Sequence, residues 1–275
     1  MGRVPPLKGK AIMSSLPAII AAIASITGAA LTFWAQNRVA KMQTQTQASI
    51  ARFQAENQAN LETLKDELQQ KKESRQKTEK AEEVLAKYRE PLLQAAFELQ
   101  SRLFNISRQG LLSNFYTHGN ERDRTYTVEN TLYVLAQYLA WTEIIRREVQ
   151  FLDLGEVATT RNLAKLQERI RAILLSTRYG NVFRVFRGEQ RAIGELMIVA
   201  QDGVDACIGY AAFVAKKEDA FRSWFEPLRH GVDALAVDLK SDNGRLKDLQ
   251  HALIELIEYL DPEGVRFDRD RCKKA

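Results

Sequence analysis

The sequence predicts an all-α protein: an N-terminal transmembrane helix, a long helical stalk with weak coiled-coil character, and a bundle of about six helices. Three observations lead there. No charged side chain lies between Lys10 and Arg38, no glycine or proline occurs from Ala29 to Glu90, and the apolar residues beyond Ala81 recur at helical spacing with no period-two alternation. The implied organisation is a basic tail at 1–11, an anchor at 12–34, a stalk at 35–88, the bundle at 89–263 and a charged tail at 264–275.

The anchor expectation rests on length and flanks. The stretch from Ala11 to Trp34 is uncharged, and about 20 predominantly apolar residues cross a bilayer core. Phe33 and Trp34 stand at one end, where amphipathic rings favour the headgroup level, and Arg38 and Lys41 follow. A cleaved signal peptide is the first alternative, with Arg3, Lys8 and Lys10 as its basic region and a cut near Ala29. Leu31, Phe33 and Trp34 continue the apolar run where that cut needs small polar neighbours. The second alternative, a buried helix, finds no core in the polar residues that follow. Small residues recur at four-residue spacing (Ala21, Ser25, Ala29, beside Ala24, Gly28), which marks a face where transmembrane helices approach closely. Basic residues lie on both sides of the segment, and initiation at Met13 would remove three of them. Two isolated cysteines, Cys207 and Cys272, suit a reducing compartment, so the bundle is placed on the cytoplasmic side.

The stalk is rich in Ala, Gln, Glu, Lys and Leu, all strong helix formers. Ile50, Phe53, Leu61, Leu64 and Leu68 keep one face, with Asn57 between them, and residues 69–80 carry no apolar side chain. The stripe is short for a sustained coiled coil, and its spacing is nearer 3.6 than 3.5.

Within the bundle, Pro91 is expected to open a helix that exits at Gly110, and 117–124 to form a loop. A central buried helix follows at 132–145, then helices at 163–173, 188–201, 207–215, 220–239 (interrupted near Pro227) and 244–262.

The chemistry-bearing motifs are sparse. There is no GxxxxGK[ST], no GxGxxG after a strand and no GxSxG, so no nucleotide or nucleophile signature supports an enzyme. No catalytic residue, cofactor or metal is assigned. Asp248, His251 and Glu255 share one helix face, but no matching Glu-x-x-His stands elsewhere to complete a dimetal set. Charge is segregated: residues 161–191 hold eight basic and two acidic residues, while 202–263 hold thirteen acidic and seven basic. Arg178, Arg184, Arg187 and Arg191 form the candidate anion- or partner-binding cluster, set against pairing of those arginines within the bundle. Nucleic acid is disfavoured by a modest pI near 9.1 and by the core-like spacing of Phe183 and Phe186.

The function expected from these features is a single-pass membrane-anchored scaffold that holds a helical interaction domain near the bilayer. Its partners would be the membrane, an unidentified protein and a second copy through the transmembrane helix and stalk. The alternative is a helical domain that binds an anionic or phosphate-bearing ligand, enzymatic or not, through the Arg178–Arg191 cluster.

Overall fold

A computed structural model describes residues 16–151, 157–201, 203–242, 244–267, 272, 274 and 275. Among them are eight α-helices and one two-stranded sheet. Helix α1 spans Leu16–Arg108, α2 Glu121–Phe151, α3 Ala158–Leu175, α4 Arg187–Leu196, α5 Tyr210–Ala215, α6 Asp219–Arg222, α7 Glu226–Val237 and α8 Arg245–Leu260. Strands β1 (Ile198–Gln201) and β2 (Val204–Cys207) pair antiparallel, with Ile198 opposite Cys207. The chain divides into two compact units, one ending at Lys72 and the other beginning at Glu73.

The N-terminal unit consists, among the described residues, of the first part of α1, with its side chains exposed from Ile20 onward. Here the transmembrane expectation is overturned. No helix among the described residues is long and apolar enough to cross a membrane. From Ile20 the uncharged run is diluted by Ser25, Thr27, Gly28 and Thr32, and Gln36, Asn37 and Arg38 follow Trp34 closely. That falls short of the roughly 20 predominantly apolar residues a span requires. Residues 12–15, which lengthened the expected anchor, lie outside the described residues. With the span go the single-pass placement, the cytoplasmic side assigned to the bundle, the bilayer as partner and the tethering role.

The C-terminal unit is built on the remainder of α1. Tyr88, Leu92, Leu93, Ala96, Leu99, Leu103 and Ile106 are buried along it at helical spacing. Pro91 does not open this helix but lies inside it. The main-chain bond that a proline forfeits is outweighed here by the burial of Leu92, Leu93, Ala95 and Ala96 immediately after it. Gly110, at φ +64°, ends the run after Arg108. A single π-helical turn at Leu112–Thr117 then leads into α2, so the expected loop at 117–124 shrinks to a few residues.

Helix α2 is the central element, with Leu132, Leu135, Tyr138, Leu139 and Ile144 buried. It packs against α4, and α3 packs against α8. The α2–α4 approach is close because of Gly194: a Cβ there would sit 2.8 Å from the Leu139 carbonyl oxygen.

The hairpin corrects two expected helices. The helix expected at 188–201 stops at Leu196, and Cys207 lies in a strand rather than at a helix start. The local cue is Ile198-Val199-Ala200-Gln201 followed by Asp202-Gly203-Val204. β-Branched residues around an Asp-Gly pair favour a tight hairpin, and Gly203 adopts φ +78°. Beyond it, Phe213, Phe221 and Phe225 form an aromatic knot, with the Phe213 and Phe225 rings edge-on at 5.2 Å.

Two buried carboxylates on α2 are held by arginines, Glu129 across elements and Glu143 within the helix. Glu129 on α2 accepts from Arg222 at 2.8 Å and from Arg229 on α7 at 2.9 Å. Glu143, lower on α2, accepts from Arg146 and Arg147. Burial pushes both carboxyls up, but the arginine hydrogen bonds outweigh it and hold both below the usual glutamate range. The unfolded chain then binds protons before the folded one does, so this stability is present above pH ~4.5 and lost as pH falls through the lower folded values. Thermal melts are expected to be flat from pH 7 to about 5.5 and to decline below about 4.5. In Glu129→Gln that decline should be shallower, from a lower starting Tm; an unchanged slope would show that Glu129 is not one of the responsible groups.

Candidate functional site

A concavity of about 740 Å³ lies within the C-terminal unit. One wall is a face of α1: Gln94, Phe97, Glu98, Ser101, Arg102 and Asn105, spaced three and four apart. The other is the first part of α2, with Arg122, Asp123, Tyr126, Thr127, Asn130 and Val134 on one face. Leu111 and Phe115 close one end. The volume lies in the range of pockets that hold small organic ligands, roughly 300–1,000 Å³.

Arg102 is the unusual group in this groove. It is only 8% exposed, and no carboxylate among the described residues forms an ion pair with it. Its guanidinium lies over the Tyr126 ring, 5.5 Å from the centroid. Desolvation pulls its pKa below the usual guanidinium value, and only the Tyr126 and Tyr210 hydroxyls oppose that. It remains a cation at neutral pH.

The two acidic residues of the groove accept hydrogen bonds from neighbouring groups. Glu98 accepts from the Gln94 side-chain amide at 2.6 Å, and Asp123 accepts from the Asn120 main-chain N–H at 3.3 Å. Asn120 reciprocates by accepting from the Asp123 N–H at 3.0 Å, which fixes the start of α2. The Phe97 ring stacks on the Phe267 ring, with centroids 3.8 Å apart and planes nearly parallel. The groove thus has an apolar body, several neutral polar groups, two hydrogen-bonded carboxylates, the exposed Arg122 and the buried Arg102, which has no ion pair among the described residues. No known protein family, characterised protein or solved structure matches the chain.

The arginines singled out from the sequence lie elsewhere in the unit and do not converge on one point. Arg178 pairs with Asp248 at 3.4 Å and lies over the Tyr179 ring. Arg187 pairs with Glu168 on α3, and Arg191 stands 3.9 Å from Glu143. Arg184 lies over the Phe186 ring at 4.8 Å. Arg169, from the same basic segment, pairs with Glu255 on α8. An incoming anion would compete with those carboxylates. Arg187 and Arg191 do border a cleft with Glu143, Arg146 and Arg171, but its volume is only about 60 Å³.

The Asp248, His251 and Glu255 face is dispersed in the same way. Asp248 accepts from the Tyr179 hydroxyl, Glu255 serves Arg169, and His251 Nε2 lies 3.3 Å from the Ala275 carbonyl. Among the described residues no group of three or more His, Cys, Asp and Glu side chains is placed to hold a metal. Cys207 is half-buried in β2, and burial pushes its thiol up to about 12. Ala21, Ala24, Ser25, Gly28 and Ala29 lie exposed on α1, and a Cβ on Gly28 would meet nothing within 4 Å.

The sequence reading passed over Arg102, although a signal was present. Ala95, Leu99 and Ile106 are core positions three and four residues apart, and position 102 belongs to that series. A charged residue in a core stripe is the pattern that marks either a buried pair or a binding group.

Proposed function

We propose that the C-terminal unit is a binding domain whose ligand is a small organic anion with an apolar body, seated between α1 and α2. One observation carries this reading: Arg102, a residue only 8% exposed, lines a groove of about 740 Å³ and has no carboxylate ion pair among the described residues. An uncompensated buried charge costs several kcal/mol in real proteins. A ligand carboxylate or phosphate would recover that cost as a charge-assisted hydrogen bond. Phe97, Leu111, Phe115 and Val134 supply apolar surface for the rest of the ligand, and Ser101, Asn105, Thr127 and Asn130 supply hydrogen bonds that would orient it.

The test is calorimetric titration of the full chain with three probe sets: aliphatic carboxylates, aromatic carboxylates and nucleoside monophosphates. Saturable binding by a carboxylate or a phosphate set identifies the acidic group. In Arg102→Met the affinity is expected to fall at least ~30-fold, since removing a buried charged partner costs about 2–5 kcal/mol. The same substitution removes an unpaired buried charge, so the melting temperature of the ligand-free chain should hold or rise. Absence of binding to every set, unchanged affinity in Arg102→Met, or a marked loss of stability in that variant each overturns the reading.

A further inference from the structure

The N-terminal unit carries a feature that the anion groove does not use. Along α1, Val39, Met42 and Thr46 are followed eleven residues later by Ile50, Phe53 and Asn57, and eleven later again by Leu61, Leu64 and Leu68. The spacing is three, four, four, repeated. An eleven-residue repeat advances about 3.67 residues per turn, close to the natural period of the α-helix, so it keeps one straight face over its whole length.

The structure leaves that face bare. Its seven apolar members are each between 50% and 65% exposed. Thr46 belongs with them, because its hydroxyl donates to the Met42 carbonyl at 2.8 Å and leaves the methyl for packing. A continuous stripe of large apolar side chains on a helix is the surface that a second helix covers.

Charge says which helix. Residues 38–55 contain Arg38, Lys41 and Arg52 and no acidic residue, a net of +3. Residues 56–68 contain Glu56, Glu62, Asp66 and Glu67 against Lys65 alone, a net of −3. The stripe is therefore basic in its first half and acidic in its second, and it is complementary to itself when reversed. Parallel pairing in register would set like charge on like at both ends, which is costly.

We propose that this stripe pairs with the same stripe of a second copy of the chain, the two helices running antiparallel and centred near Phe53. Val39 then lies by Leu68 of the second copy, Met42 by Leu64, Thr46 by Leu61 and Ile50 by Asn57, with Phe53 meeting its counterpart on the twofold axis. Lys41 comes alongside Asp66, and Arg52 alongside Glu56. A two-fold pairing is closed, so assembly through the stripe stops at a dimer.

Sedimentation of the full chain over a concentration series tests this. The native chain is expected to form dimers at about 10 μM, the strength of an ordinary specific pairing. Leu61→Glu with Leu64→Glu should leave it monomeric at that concentration while helicity is retained, since both positions are exposed. Lys41→Glu with Arg52→Glu puts acid against acid in the antiparallel pair and should weaken it at least ~10-fold. In a parallel pair the same change relieves repulsion between the basic halves and would tighten it. An equimolar mixture with the Glu56→Lys, Asp66→Lys chain should restore association. These substitutions leave residues 20–34 untouched, so association through those side chains would persist in every variant. A native chain that stays monomeric, dimers that survive the leucine substitutions, or association unchanged or strengthened by Lys41→Glu with Arg52→Glu each overturns the proposal.

Discussion

Replacing Arg245 with methionine is expected to destabilise the C-terminal unit by about 4 kcal/mol, because removing a buried charged donor that serves several acceptors leaves those acceptors short of a partner. Arg245 is the first residue of α8, and its side chain is fully buried. Its Nη1 donates to the carbonyls of Ile173 (2.8 Å) and Leu174 (2.6 Å), and its Nη2 to those of Ser176 (2.9 Å) and Gly180 (2.7 Å). These are acceptors at the C-terminal end of α3 and in the turn beyond it, where helix geometry supplies no donors. Positive charge is also favoured there by the helix dipole. Asp242 prepares the junction by accepting from the Leu246 N–H at 2.7 Å, which caps α8. In a unit of this size the loss corresponds to a fall in Tm of about 10 °C. Arg245→Lys should recover little of it, since a single ammonium has no fork to reach four carbonyls. A melting temperature within two or three degrees of the native value in either variant would refute the assignment.

The second large effect concerns Gly231 on α7. A Cβ at that position would lie 2.6 Å from Cδ2 of Phe183 and 3.1 Å from its main-chain nitrogen. Phe183 cannot easily yield. It is 2% exposed and holds a left-handed backbone at φ +57°, which residues other than glycine rarely adopt. The absence of a side chain at Gly231 therefore leaves the space that the Phe183 ring occupies. Gly231→Ala is expected to cost about 2–3 kcal/mol through overpacking. Gly188→Ala is the matched control: nothing lies within 4 Å of its Cβ position. It sits in the first turn of α4, where alanine should be neutral or gain up to about 1 kcal/mol. Chemical denaturation of both variants checks the pair. Equal effects would mean that the α7–Phe183 contact is not tight.

Both residues show where sequence reading stops. The stripes at 92–103, 163–173 and 246–260 were legible because burial on one face imposes a 3.6-residue period, and the run at 132–145 because it is apolar almost all round. Pro91 misled because its local cost is visible and the burial that offsets it is not. The hairpin at 198–207 was hidden by Ile198 and Val199, which also continue the apolar positions of α4; the Asp202-Gly203 pair was the cue that decides against a helix. The anchor expectation failed for a related reason. Absence of charge is easily read, but the described helix also carries hydroxyl, glycine and amide residues that lower its apolar content below what a bilayer core requires.

The candidate groove was less legible than the fold. Arg102 occurs twenty residues before Arg122 and twenty-four before Tyr126, so nothing in local spacing joins them. Their meeting depends on the turn at Gly110 and the π-helical turn after it, which bring the start of α2 back along α1. The basic segment misled in the opposite direction. Its arginines are conspicuous together in the chain, yet α3, the turn at 177–179 and α4 direct them to Glu168, Asp248, Glu255 and Glu143.

The sequence by itself determined that this chain is helical, where its apolar faces run, and that the face from Val39 to Leu68 carries opposite charge in its two halves. Those properties follow from periodicity and composition, which are local. Only the tertiary structure decided which of the described charges are matched, and that Arg102 has no carboxylate beside it. The energy of a buried ion depends on what lies within a few ångströms of it, and those neighbours come from distant parts of the chain.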